Sequence, residues 1–224
     1  MSKIDELEQK IIKQGMTDED FAEYQKMLKR VRGNFSKRQH CYTTAIQFSP
    51  QYTDQAVKLI NYGLESFEDG WFSTYTSHLY IGKIYERASD YQNAFISYQT
   101  AEKVLGTDHS EYVAELSRDL MWMKLHIDAF CYSPELENYY SRYVKADDFS
   151  KSFIENEFKL VIAKLVIALH YGNDIEAKEA LDKAKEINKP DYSGKLFNIL
   201  IRHHYKESFM TTLEAKEFIK KLQI

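Results

Sequence analysis

The stretch Tyr80-Ile-Gly-Lys-Ile-Tyr-Glu-Arg-Ala-Ser-Asp-Tyr-Gln-Asn-Ala-Phe-Ile-Ser-Tyr-Gln-Thr-Ala101 decides the fold. Apolar residues recur at helical spacing on both sides of Ala88-Ser89-Asp90, which predicts helices over about 71–87 and 91–105 joined by a tight break. Gly82 lies well inside the first of these, where glycine costs about 1 kcal/mol relative to alanine. A close helix crossing gives it a reason. Gly82 and Ala94 let two backbones approach, Tyr85 and Tyr98 fill the space beside them, and Ala101 leaves room for the next helix.

Outward from this hairpin the chain reads as helix after helix. Ile4, Leu7 and Ile11 form a stripe closed by Gly15, and Thr17 with Asp20 forms a capping box for a helix carrying Phe21, Tyr24, Leu28 and Val31 as far as Gly33. Further helices are predicted over 36–48, ending before Pro50, and over 53–67, ending at Asp69-Gly70. Beyond the hairpin they cover 110–131, 134–145 (Ser133 as N-cap, Pro134 at N1), 149–171, 174–188 and 191–206. Thr211 with Glu214 opens a twelfth. No segment alternates with period two, so the expected fold is all-α, with a hairpin at 1–35 and a helical-repeat domain at 36–224.

Composition agrees. The chain holds 3 prolines and 8 glycines, where average usage over this length gives roughly 11 and 16. A many-stranded sandwich or barrel would need more turn formers. Neither GxGxxG nor GxxxxGK[ST] occurs, which excludes the glycine-rich phosphate loops. A net charge of −4 supplies no general basic field for nucleic acid. Cys41 and Cys131 form no CxxC and read as reduced thiols. The start, MSKIDELEQKII, has no apolar signal region, and Val161–Leu169 is interrupted by Lys164 and reaches about half the ~20 residues of a membrane span. A cytoplasmic protein without a membrane segment is expected.

Catalytic and metal constellations find little support. His203 and His204 point about 100° apart on a helix and cannot easily share a metal; His126 with Cys131 and His40 with Cys41 are poor helical pairs. The carboxylate groups Glu65, Glu68, Asp69 and Asp147, Asp148, Glu155 read as solvated faces. Lys29, Arg30, Arg32, Lys37 and Arg38 form a basic patch, but the preceding Thr-Asp-Glu-Asp would repel phosphate, so nucleic acid is not the expected partner. The expectation is a protein that is not an enzyme and takes no cofactor. An enzyme built on a helical stack is the less favoured rival.

The hairpin resembles a tetratricopeptide repeat, a unit of roughly 34 residues. Gly82, Tyr85, Ala94, Tyr98 and Ala101 stand at that family's spacing; Ile81 replaces its leucine, His78 its tryptophan and Gly106 its proline. Gly172-Asn-Asp-Ile-Glu-Ala177 repeats the turn, followed by Leu181 and Ala184, and Ala56, Ile60 and Gly63 repeat the second-helix spacing. The resemblance covers 36–107 and 158–190, while 108–157 departs in register.

That resemblance implies a concave groove lined by the first helix of each pair, binding a partner protein or an extended peptide. Carried onto this chain, the groove positions are Arg38, Cys41 and Tyr42, then Leu79, Lys83, Glu86 and Arg87, then Lys159, Ile162, Val166 and His170. They suit a ligand with apolar side chains and some acidic groups. Leu79 and Cys41 stand where a chaperone-type carboxylate clamp needs Lys and Asn, which argues against that role. A remoter similarity is to the repeat domains of Gram-positive peptide-pheromone regulators. It implies a peptide-responsive regulator, although too few residues precede the first pair for a helix-turn-helix domain. A homodimer stays open.

Overall fold

The computed structural model describes residues 2–106, 109, 112–146 and 157–187. Among these there are ten α-helices, a short 3₁₀ turn at Pro50–Tyr52 and no strand. The helices are α1 (Lys3–Gln14), α2 (Asp18–Leu28), α3 (Asn34–Ala45), α4 (Thr53–Ser66), α5 (Trp71–Arg87), α6 (Tyr91–Leu105), α7 (Val113–Ile127), α8 (Pro134–Lys145), α9 (Glu157–His170) and α10 (Asp174–Ile187). The helices expected over 191–206 and from Thr211 lie outside the described residues. No described helix is long and apolar enough to cross a membrane. The chain divides into two compact units, Met1–Asp108 and His109–Ile224.

In the first unit, α1 and α2 belong to the same core as the helices that follow. Leu7, Ile11, Tyr24 and Leu28 cluster with Cys41, Ala45, Phe48, Leu59, Ile60, Ile81 and Ile84. The division expected at residue 35 therefore falls inside this core. Two capping boxes start α1 and α2: Asp5 N donates to Ser2 Oγ at 3.3 Å, and Asp20 N donates to Thr17 Oγ1 at 3.1 Å. Asp20 also accepts from Lys10 Nζ at 2.6 Å, which ties α2 to α1. The hairpin docks on α4 where Met16 N donates to Gln55 Oε1 at 2.7 Å.

Helix α2 stops at Leu28 rather than running to Gly33. Arg30 N and Val31 N turn back to Met27 O and Leu28 O, an i→i−3 tightening that ends the α-helix. Gly33, at φ 78°, is instead the N-cap of α3, a conformation that favours glycine.

The α5–α6 hairpin has the predicted boundaries. Its turn is made by Ser89 in the left-handed region (φ 61°), by Asp90 N donating back to Tyr85 O at 2.9 Å, and by Asp90 Oδ1 accepting from Asn93 N at 3.2 Å. The second unit repeats this turn between α9 and α10. Gly172 takes the left-handed place, Asn173 N donates to Ala168 O at 2.9 Å, and Asn173 Oδ1 accepts from Glu176 N at 3.3 Å. Ala94, Tyr98 and Ala101 after the first turn correspond to Ala177, Leu181 and Ala184 after the second, and all six are buried. The crossing at Gly82 differs in one detail from the expectation: what occupies the room left by the missing side chain is the Tyr98 ring, not a neighbouring backbone.

Between these hairpins, α7 and α8 follow another register. Their turn places Ala129 and Phe130 successively in the left-handed region, and Ser133 caps α8 with Pro134 in its first turn. Helix α7 begins at Val113 and ends at Ile127, shorter than the predicted 110–131, and α9 is described from Glu157. Leu116, Leu120, Met121, Met123 and Leu125 of α7 are fully buried.

Candidate functional site

Six of the eleven residues that the repeat frame assigned to a groove are core residues. Arg38 is 5% exposed. Its Nε donates to Phe67 O at 2.6 Å, Nη2 to Leu64 O at 3.3 Å and Nη1 to Thr74 Oγ1 at 2.7 Å. The guanidinium thus caps the C-terminal carbonyls of α4, groups a helix leaves unsatisfied. Tyr42 is buried and stacks on Tyr80, with ring centroids 5.2 Å apart and planes at 10°. Leu79, Cys41, Ile162 and Val166 are also buried. Burial pushes the Cys41 thiol up to about 12, with the Glu8 charge adding to it.

The remaining positions are more open. Lys83 Nζ lies 5.7 Å from the Tyr80 ring centroid, and Glu86 Oε2 accepts from Tyr98 Oη at 2.8 Å. Arg87 is exposed. In the second unit, Lys159 sits 3.6 Å from the buried Asp119 Oδ1 and 5.6 Å from the Trp122 ring. Asp119 Oδ1 also accepts from Arg118 Nε at 2.8 Å, so the carboxylate answers two cations. His170 is exposed and stacks on Tyr132 at 3.6 Å, beside Tyr171, while Tyr132 Oη and Tyr171 Oη both donate to Glu137 Oε2. The two phenols and the nearby His170 hold the Glu137 carboxyl below its ordinary range. The basic patch is likewise reduced: Arg38 is internal and Lys37 lies over the Phe67 ring at 5.0 Å.

An open cleft lies elsewhere in the first unit, between α2, α4 and the end of α5. It has a volume of about 560 Å³ and is lined by Phe21, Gln25, Asp54, Val57, Lys58, Asn61, Tyr62, Glu65 and Tyr85. Its wall is one stripe of α4: Asp54, Val57, Lys58, Asn61, Tyr62 and Glu65 recur at the three- and four-residue spacing that shares a helix face. The opposite face of α4 carries Ala56, Leu59, Ile60 and Gly63 and is buried. A β-carbon at Gly63 would stand 3.1 Å from Cys41 Cβ and Sγ, so α4 is drawn tightly against α3 and its other face is left clear.

Aromatic rings shape the cleft. Phe21 meets Tyr62 edge-on, with centroids 5.4 Å apart, and Tyr62 meets Phe67 the same way at 5.6 Å. Lys58 Nζ lies 4.6 Å from the Phe21 centroid and 3.2 Å from Asp18 Oδ1, an exposed pair that contributes little to stability. Burial raises the Tyr85 phenol, and the charges of Asp90 and Asp54 add to it. Sequence reasoning missed this site because Glu65 read as part of a solvated face and Phe21 as part of the apolar stripe of α2, while Asp54, Lys58 and Asn61 belong to no motif. The available signal was Tyr62, an aromatic residue on the α4 face that the repeat frame does not use.

The cleft holds no nucleophile–base pair, and no group of three or more His, Cys, Asp or Glu side chains able to hold a metal ion occurs among the described residues. Its geometry offers apolar contact, ring faces and a charged rim. Comparison with family models, curated proteins and solved structures finds no match.

Proposed function

We propose that the chain is a tetratricopeptide-like helical-repeat module that binds a peptide segment of a partner protein without catalysis, in the cleft between α2 and α4. The observation carrying this reading is the cleft itself. Its volume of about 560 Å³ lies within the range of ligand sites, and its lining joins Val57 and the rings of Phe21, Tyr62 and Tyr85 to polar and charged side chains. The repeated hairpin turn at Ser89–Asp90 and Gly172–Asn173 supports the repeat reading. The free thiols of Cys41 and Cys131 accord with the reducing cytoplasm that the reading assumes.

The test is selection of a random peptide library on the immobilised chain, followed by binding to Asn61→Trp, which fills the middle of the cleft from an exposed position. The expected result is enriched peptides that lose at least tenfold in affinity for the variant. Enriched peptides indifferent to the variant would move the site elsewhere, and failure to enrich any would remove the function.

A further inference from the structure

We infer that the cleft selects basic peptides: an extended segment carrying two arginine or lysine side chains six residues apart on one face, with apolar residues between them. The inference rests on the peptide-binding reading above and assigns its ligand class.

The charges along the α4 stripe carry the argument. Asp54 and Glu65 stand at its two ends, both exposed, and neither forms an ion pair among the described residues. Lys58, between them, is drawn toward Asp18 and the face of Phe21, away from both carboxylates in its bonding. The rim therefore offers two unneutralised negative charges separated by eleven helical residues, about 16 Å at 1.5 Å per residue. An extended peptide advances about 3.3 Å per residue and turns successive side chains to opposite faces, so two side chains on one face that span this distance with their flexible stems stand six residues apart, about 20 Å between α-carbons. Between the ends, Val57 and the rings of Phe21, Tyr62 and Tyr85 provide apolar contact. The ring faces also suit a guanidinium, as the ammonium of Lys58 over Phe21 already shows within the molecule.

The direction of selectivity is thus opposite to that of the sequence-derived groove, which suited acidic ligands. The difference arises because Arg38 is internal, whereas Asp54 and Glu65 face the open cleft.

Three fluorescein-labelled heptapeptides test the assignment by fluorescence anisotropy on the full chain: Arg-Ala-Leu-Ala-Leu-Ala-Arg, Gln-Ala-Leu-Ala-Leu-Ala-Gln and Glu-Ala-Leu-Ala-Leu-Ala-Glu. At low salt the arginine peptide is expected to bind on the order of tenfold tighter than the glutamine peptide, with the glutamate peptide weakest. Asp54→Lys with Glu65→Lys is expected to invert the order, with thermal unfolding checking that the chain still folds, since both positions are exposed. If that variant folds poorly, Asp54→Asn with Glu65→Gln is expected to abolish the preference. Equal affinities for all three peptides, or preference for the glutamate peptide, would overturn the basic-ligand assignment while leaving peptide binding in place. Absence of binding by all three at millimolar concentration would likewise overturn the basic-ligand assignment, while the peptide-binding reading is decided by the library selection.

Discussion

A β-carbon at position 82 would lie 2.5 Å from Cε1 of Tyr98, so the tyrosine ring occupies the space that any side chain on Gly82 would need. The contact fixes how α5 and α6 pack, because Tyr98 is fully buried and its hydroxyl donates to Glu86 of α5 at 2.8 Å. The ring is therefore held at both ends and cannot swing away cheaply.

Gly82→Ala tests this crossing. Helix propensity alone would stabilise the variant by about 1 kcal/mol. Overpacking against a fixed ring typically costs 1–3 kcal/mol, so the balance is expected to be destabilising, and Gly82→Leu more so. Thermal unfolding should show a lower melting temperature for both. Tyr98→Leu combined with Gly82→Ala should cost less than the sum of the separate changes, because the clash is gone. Additive losses would mean that the two residues do not share this space.

Arg38 is expected to act in stability rather than in recognition. Arg38→Met leaves the Phe67 and Leu64 carbonyls and the Thr74 hydroxyl without their donor. A loss of about 2–4 kcal/mol is expected, since each buried unsatisfied acceptor costs roughly 1–3 kcal/mol. Urea unfolding measures it. An unchanged unfolding midpoint with weakened peptide binding would restore Arg38 to a groove.

These two residues show what the sequence conveys and what it does not. Gly82, Ala94, Tyr98 and Ala101 lie within one hairpin, so their spacing, set beside the repeat it resembles, announces a close crossing, and the boundaries of α5 and α6 are legible from the break at Ala88-Ser89-Asp90. The role of Arg38 depends on carbonyls some thirty positions later, whose proximity arises only when α3 and α4 pack. A long cation on a helix face reads the same whether it meets solvent or a helix C-terminus. The α4 stripe is illegible for the converse reason: its polar residues are solvated, but around aromatic side chains contributed by α2 and α5.

Two histidines should impose opposite pH dependences. His40 Nδ1 lies 2.9 Å from Glu8 Oε1, and this bond raises its pKa above 6.5. Its contribution to stability is complete below about 6.5 and is lost as pH rises through the raised folded value. Burial among Trp122 and Phe130, with Lys159 nearby, lowers His126 to about 4. It contributes stability above 6.5 that is lost as pH falls toward 4. Imidazole NMR titration should place the two midpoints on opposite sides of 6.5. His40→Gln should lower the urea midpoint more at pH 5.5 than at pH 8.5, and His126→Phe should flatten the loss of stability below pH 6.5. Coincident titration midpoints would contradict both environments.

The most direct measurement of the central claim is an amide chemical-shift map of the ¹⁵N-labelled chain titrated with the peptide Arg-Ala-Leu-Ala-Leu-Ala-Arg. Saturable shifts concentrated at Phe21, Gln25 and the Asp54–Glu65 stripe are expected. Shifts concentrated instead around Lys83 and Arg87, or around Lys159 and His170, would contradict the cleft between α2 and α4 as the binding site.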